Sequence, residues 1–331
     1  MTKEIVRVHF IDKSCKAFGV DSQETAADLR CNVTERIGLK EDACFALFEK
    51  KDDWERCLEP EEKPVEIIQS WEKEKSEKRK GDSEPVLLFK KKIFLKDDDR
   101  EMDDVVAKDL IYKQALQSVI SSEYPCVPED AIRLAGLQFQ VLYGDHNTSF
   151  HVAGFLLPNI TDFVPKSLSS QRRVQEWEAL ILKEHEAMIG KSPEDAKTEY
   201  LNIVKQWAYY GTTFYPPCKS VGNKSLPSKV VIGINYEGIR LLKPKTKGLI
   251  SEHLFTEICS WASSSGTFAF EFGNQNESQK YTFETKQGSI IAATIQTYID
   301  ILVQMLKNGD DDDDEDYDES ETGTTLSESS Q

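Results

Sequence analysis

Histidine is scarce in this chain, with five in 331 residues, and so are methionine, with four, and cysteine, with seven. The histidines His9, His146, His151, His185 and His253 are scattered, and none forms a His-Glu-x-x-His or paired Cys/His signature. The nearest pair, His146 and His151, lies five residues apart, so no metal site is assigned. Phosphate-cradling Gly-x-x-x-x-Gly-Lys-Ser/Thr and nucleophile-bearing Gly-x-Ser-x-Gly sequences are missing as well. The expectation is a protein that is not an enzyme, has no catalytic residues and needs no cofactor. An enzyme would require a constellation that these motifs do not describe.

Cysteine is equally uninformative as chemistry. The seven residues, Cys15 to Cys259, are odd in number and contain no Cys-x-x-Cys, as expected for reduced thiols in a reducing compartment. No run reaches the ~18 to 20 apolar residues that cross a bilayer. The opening Met1-Thr2-Lys3-Glu4 leads straight into a strand-like Ile5-Val6-Arg7-Val8 without the apolar core of a signal peptide. These features predict a cytoplasmic location.

What is abundant is negative charge, and it is unevenly placed. The net charge is -17, and the eleven acidic residues after Lys307 account for all but six of it. Such a density cannot collapse onto a core, so 309–331 is expected to be a disordered acidic tail. It lacks the glycine and spacing of a calcium loop. One expectation for it is that it folds back on basic residues and competes with lipid. Between Phe163 and Lys247, fourteen Lys and Arg outnumber eight Asp and Glu. A basic middle of this kind suits an anionic membrane surface better than duplex nucleic acid, which needs a broad basic face.

The first stretch, 1–92, reads as a small α+β unit. Glu4 to Phe10 and Lys16 to Val20 alternate as a hairpin, and a helix follows with Ala26, Leu29, Val33 and Ile37 on its buried stripe. Asp21 to Glu24 is its expected capping box. Cys44 to Phe48 is a third strand, Val65 to Trp71 a turn or short helix, and Val86 to Phe89 a closing strand, the order of ubiquitin. The basic tract Lys73 to Lys80 reads as a solvated loop. From 93 to 206 the period is helical: Ile111 to Ile120, Pro128 to Tyr143, Val174 to Met188, then a start at Ser192-Pro193-Glu194-Asp195. Helices without strands imply a bundle.

From 207 to 308 the pattern returns to strands: Gly211 to Tyr215, Val230 to Asn235, Ile239 to Leu242, then a run through Trp261, Phe268, Phe270, Phe272, Tyr281 and Phe283. After Gln287-Gly288 the period changes to helical, with Ile291, Ile295, Tyr298, Ile299, Leu302 and Leu306 on one stripe and Ser289 as the expected N-cap. Short antiparallel strands closed by a long last helix predict a pleckstrin-homology or phosphotyrosine-binding type β-sandwich.

Three lobes in this order resemble the FERM module, and the residues resemble the talin head. The likeness is carried by Leu87-Leu88-Phe89-Lys90-Lys91-Lys92-Ile93-Phe94, by Ala135-Gly136-Leu137-Gln138 through Gly144-Asp145-His146-Asn147, and by His151-Val152-Ala153-Gly154-Phe155-Leu156. It continues in Phe163-Val164-Pro165-Lys166, Tyr210-Gly211-Thr212-Thr213-Phe214, Trp261-Ala262-Ser263, Phe268 to Gly273 and Tyr298-Ile299-Asp300-Ile301. The resemblance implies a multi-domain α+β protein: a ubiquitin-like β-grasp lobe, a helical bundle lobe like acyl-CoA-binding protein, and a PH/PTB-like lobe. Talin heads have a further front lobe and a long rod, and neither is found here, so rod functions are not implied.

The resemblance also implies two surfaces. A partner peptide adds as a strand to the third lobe, and Trp261, Ala262, Ser263, Phe268, Leu226 and Ile299 are its expected contacts. Lys166, Arg172 and Arg173, with Lys219, Lys224 and Lys229 on the expected loop before a third-lobe strand whose tip carries Leu226, match regions that face the inner leaflet and are expected to bind anionic lipid or phosphoinositide. The talin pattern has a basic pair before the tryptophan where this chain has Cys259-Ser260, so an integrin-like NPxY tail loses a fork of donors there. The expected function is a peripheral membrane-cytoskeleton adaptor at the cell cortex, in cell adhesion, holding the cytoplasmic tail of an adhesion receptor. Alternatives are a myosin-tail-like cargo module with a cytoskeletal or myosin partner, or a soluble regulator that sequesters peptides. Nucleic acid is not an expected partner.

Overall fold

The computed structural model describes residues 3–51, 54–75, 84–95, 99–274 and 277–311. The first lobe contains β1 (Glu4–His9), β2 (Cys15–Val20), α1 (Ala26–Ile37), β3 (Phe45–Lys51), β4 (Trp54–Cys57), α2 (Pro64–Lys75) and β5 (Val86–Lys91). Its sheet runs β2-β1-β5-β3-β4, with β1 and β5 parallel in the centre. The helix α1 is capped one residue beyond the expected box. Thr25 accepts from the Asp28 N–H while Asp28 accepts from the Thr25 N–H, leaving Asp21 to Glu24 outside. The segment expected as a short helix or turn is the three-turn α2, which absorbs the start of the basic tract; Ser76 to Lys80 lie outside the described residues.

The second lobe is helical: α3 (Asp99–Asp103), α4 (Val105–Ile120), α5 (Pro128–Tyr143), α6 (Val174–Glu186) and α7 (Pro193–Lys205). Ser192 caps α7 by accepting from the Asp195 N–H at 3.1 Å, with proline at the first turn as the sequence implies. One apolar core runs continuously from the first lobe into the second, joining Val8, Leu87 and Phe89 to Ile111, Tyr200 and Val204.

The third lobe comprises β6 (Thr213–Phe214), β7 (Cys218–Val221), β8 (Lys229–Ile234), β9 (Gly238–Leu242), β10 (Leu249–Leu254), β11 (Ile258–Ser263), β12 (Thr267–Asn274), β13 (Glu277–Glu284) and α8 (Gly288–Asp311). The strands follow the path β10-β9-β8-β7-β13-β12-β11, all antiparallel, with β6 paired to β8. By length and mean hydropathy alone, Gly288–Lys307 of α8 would suffice to cross a bilayer. Ile291, Ile295 and Tyr298 are instead enclosed against the strands, which identifies α8 as the lid of the sandwich. The helix begins at Gly288, so Ser289 lies inside its first turn and is not the N-cap. It extends to Asp311, into the expected tail; residues 312–331 lie outside the described residues.

The three lobes meet at the segment leaving β5. The ring of Phe94 lies edge-on to Tyr210 at 5.4 Å, and its backbone N–H donates to the Tyr298 hydroxyl at 3.4 Å. Gly211, between α7 and β6, sits with φ +68° against that phenylalanine, where a Cβ would come within 2.4 Å of Phe94 Cβ. No other residue fits this approach. The Gly211 N–H donates to Tyr124 Oη at 2.9 Å, tying the second lobe to the same point. The lobes are therefore clustered around Phe94.

Candidate peptide-binding edge and basic surfaces

The strand β11 is the outermost of its sheet and pairs only with β12 among the described residues. Its register places Trp261 opposite Phe270, Ala262 opposite Ala269 and Ser263 opposite Phe268. In the turn that follows, the Ser264 N–H donates to the Thr267 carbonyl at 2.9 Å. Antiparallel pairs alternate between hydrogen-bonded and non-bonded, so Ala262 faces the ladder with its backbone groups, while Trp261 and Ser263 point theirs outward. Those two residues form the free edge. A second extended chain could pair there without displacing any existing bond.

The helix α8 starts over the end of this strand. A Cβ on Gly288 would fall 2.4 Å from the Thr267 carbonyl oxygen and 3.3 Å from Ser263 Cβ, so glycine lets the helix close onto β11. Trp261 and Ile299 are both half-buried and pack on the third-lobe core, one from the strand and one from the helix. Further along α8, Val303, Met305 and Leu306 are exposed, the last at 72%. Strand β11 and helix α8 thus pack on the same core from two sides.

The expected peptide contacts divide accordingly. Ala262 and Ser263 are exposed on β11, and Trp261 on the strand and Ile299 on α8 are partly accessible. Phe268 is a correction: it is fully enclosed, because Phe268, Phe270 and Phe272 share the inward face of β12 and leave Ala269 and Glu271 on the other. It shapes the core and cannot touch a ligand. Leu226 is half-buried against the third-lobe core instead of standing free at the loop tip. Beside the missing basic pair, the exposed Cys259 Sγ donates to the Gly273 carbonyl at 3.3 Å.

The basic residues form two groups. Lys219 and Lys229 lie in β7 and β8, directly opposite each other, and not in a loop as expected; Lys224 is in the connection between them. All three are exposed, but the Lys219 ammonium donates to both carboxylate oxygens of Glu284 at 3.1 Å. Lys166, Arg172 and Arg173 lie between α5 and α6. Arg173 is held by Glu176 at 2.6 Å, and that guanidinium keeps the Glu176 carboxyl below its ordinary range. Arg172 stands 5.7 Å over the Trp177 ring, whereas Lys166 is exposed. Among the described residues, Lys166, Lys224 and Lys229 are the three of the six without an ion pair or ring contact.

The sequence did not point to a cleft of about 690 Å³ where all three lobes meet, with Lys13, Arg56, Lys90, Lys92 and Lys247 among its lining. Burial pushes Lys247 below the ordinary lysine range, and its ammonium stands 4.8 Å over the Phe214 ring. Glu55 offsets part of the charge through ion pairs with Lys50 and Lys90. The triplet Lys90-Lys91-Lys92 was the available signal, but sequence alone gives it no counterpart on the other lobes.

Comparison with known proteins agrees with this layout. Residues 2–93 match the RA-like domain family, 97–215 the FERM central domain and 214–303 the PTB domain of IRS-1 type. A talin from Oscarella pearsei is 29% identical over 343 residues, covering 98% of this chain and 13% of the talin. FERM domain-containing protein B from Dictyostelium discoideum is 34% identical over 202 residues, 58% of this chain and 42% of that protein. This chain therefore spans less than half the length of either relative. Among solved structures, the human myosin 7b C-terminal MyTH4-FERM domain in complex with the harmonin-a PDZ3 domain superposes with a TM-score of 0.73 at 23% identity, covering 91% of this chain and 61% of that one.

Proposed function

Starting from a chain that is a FERM-domain protein with talin-head-like sequence, we propose that it is a cytoskeleton-linked adaptor that captures an extended peptide on β11 while docking on anionic lipid. The observation that carries this reading is the outer side of β11, unpaired among the described residues; the groove is the one this edge would form with α8. Peptide backbone would pair with the outward groups of Trp261 and Ser263, and side chains at alternate positions would meet Trp261 and Ile299. The cytoplasmic tail of an adhesion receptor is the proposed occupant. With Cys259-Ser260 in place of a basic pair, the groove favours a tail whose affinity comes from backbone and apolar contacts over one that needs an arginine fork.

Lipid docking would rest on Lys166, Lys224 and Lys229, each adding roughly 1 kcal/mol near an anionic surface. It would hold the protein at the inner face of the plasma membrane, where receptor tails emerge. The peptide reading is tested by amide hydrogen exchange on the whole chain with and without an NPxY-type receptor-tail peptide. Protection gained at Trp261 and Ser263, with Ala262 already slow in the free protein, supports strand addition. Binding without protection at either amide overturns it. Vesicle co-sedimentation tests the second half, and equal binding to neutral and phosphoinositide-containing vesicles removes it.

A further inference from the structure

Three of the five histidines come together in the second lobe. His146 and His151 belong to the segment joining α5 to α6, and His185 to the last turn of α6, yet one ring nitrogen of each lies within 4.8 Å of the others. The ring centroids are 5.3 to 5.5 Å apart. The sequence separates His151 from His185 by two turns of 3₁₀ helix and most of α6, so only the folded bundle makes the group.

The hydrogen bonds fix where the protons are. His185 is fully enclosed, and its Nε2 lies 2.7 Å from the Gly144 carbonyl, which can only accept. Nε2 therefore carries the proton and Nδ1 presents a lone pair. Among the described residues that buried Nδ1 has no hydrogen-bond partner, and neither does the buried Nδ1 of His146. Buried acceptors with nothing to accept are unfavourable and uncommon. Asp145, next to His146 in the chain, accepts from the Gln140 side chain and the Gly190 N–H.

We propose that His146, His151 and His185 form a binding site for a divalent transition-metal ion, with Zn²⁺ the ion whose chemistry fits best. Neutral imidazoles suit this borderline ion, three of them leave a fourth tetrahedral position for water, and the His185 Nε2–H to carbonyl bond is the outer support that orients such a ligand. Around a tetrahedral ion the nitrogens would draw in to about 3.3 Å from one another. His151 Nδ1 now accepts from the Asn147 N–H at 3.0 Å, so that ring joins through Nε2 by moving its proton to Nδ1 and giving up that bond. The bound ion would staple the 144–156 segment, which carries the exposed Phe150 and Val152, to α6.

The experiment titrates the whole chain with Co²⁺, whose visible spectrum reports coordination number and ligand type, and then displaces it with Zn²⁺. The expected result is one equivalent of four-coordinate cobalt with nitrogen ligands and no thiolate band. His146→Ala or His151→Ala, each at a partly accessible ring, should weaken it at least about tenfold with the far-UV circular dichroism unchanged. The acidic tail, common to all variants, gives only weak six-coordinate binding. Absence of the four-coordinate spectrum in the natural protein, or its persistence in the His146→Ala, His151→Ala double variant, overturns the proposal.

Discussion

Lys91 and Glu101 form an ion pair in which both side chains are buried, at the junction of the first and second lobes. The ammonium also lies 4.9 Å over the Phe94 ring, the residue around which the lobes cluster. The carboxylate is one partner of a buried ammonium, so Glu101→Gln should destabilise the chain by about 1.5 to 3 kcal/mol. Replacing both at once, Lys91→Met with Glu101→Leu, should cost less, since no ammonium is then left in the interior. Urea unfolding of the two variants checks this, and equal losses would show that the pair is not coupled.

Asp104 also joins these lobes, by its backbone partners. It caps α4 by accepting from the Val106 and Ala107 N–H groups, and its other oxygen accepts from Lys40 and Glu41 of the first lobe. Burial works against ionisation here, but the four donors outweigh it and hold the carboxyl below its ordinary range. The stabilisation is therefore complete above the unfolded-state pKa of about 3.9 and is lost as pH falls through the lower folded value. Asp104→Ala should lose about 1 kcal/mol at pH 7 and flatten the acid limb of a stability profile measured by chemical denaturation.

The alternation of β11 predicts opposite effects of proline at adjacent positions. Ser263→Pro removes an outward N–H, so the fold should persist while affinity for an added peptide drops about fivefold, the worth of one ladder bond. Ala262→Pro removes an inward one and should destabilise the lobe by about 1 to 3 kcal/mol. Thermal unfolding and peptide titration of both variants check the assignment, and a reversed pattern would mean the register of the free edge is shifted by one.

On anionic vesicles, Lys224→Ala combined with Lys229→Ala should weaken co-sedimentation roughly 10- to 30-fold at low salt. Lys219→Ala should have a smaller effect, because Glu284 already holds that ammonium. If the three lysines proved equivalent, the ion pair would be irrelevant to docking.

Local periodicity made most of the elements legible. Pro128 to Tyr143 and the Ser192 start are where the helical spacing puts them, since a stripe at every third or fourth residue is written into the chain itself. Short strands were harder. The strands β4, β7 and β10 carry too few alternating residues to stand out, and Lys219 and Lys229 read as loop although they face each other in a ladder. Phe268 could be seen as apolar but not as inaccessible. Of the His146, His151 and His185 group, the sequence showed only the five-residue spacing of His146 and His151 and gave no sign of His185 beside them.

The order of residues by itself determined the three lobes, their sequence along the chain and the strand-to-helix change that closes the last one, because each follows from interactions between near neighbours. Only the tertiary structure decided that β11 is an edge, that Lys91 is enclosed against Glu101, and that three distant imidazoles converge. Edges, burial and convergence are properties of what packs against a segment, and the segment's own periodicity carries no record of it.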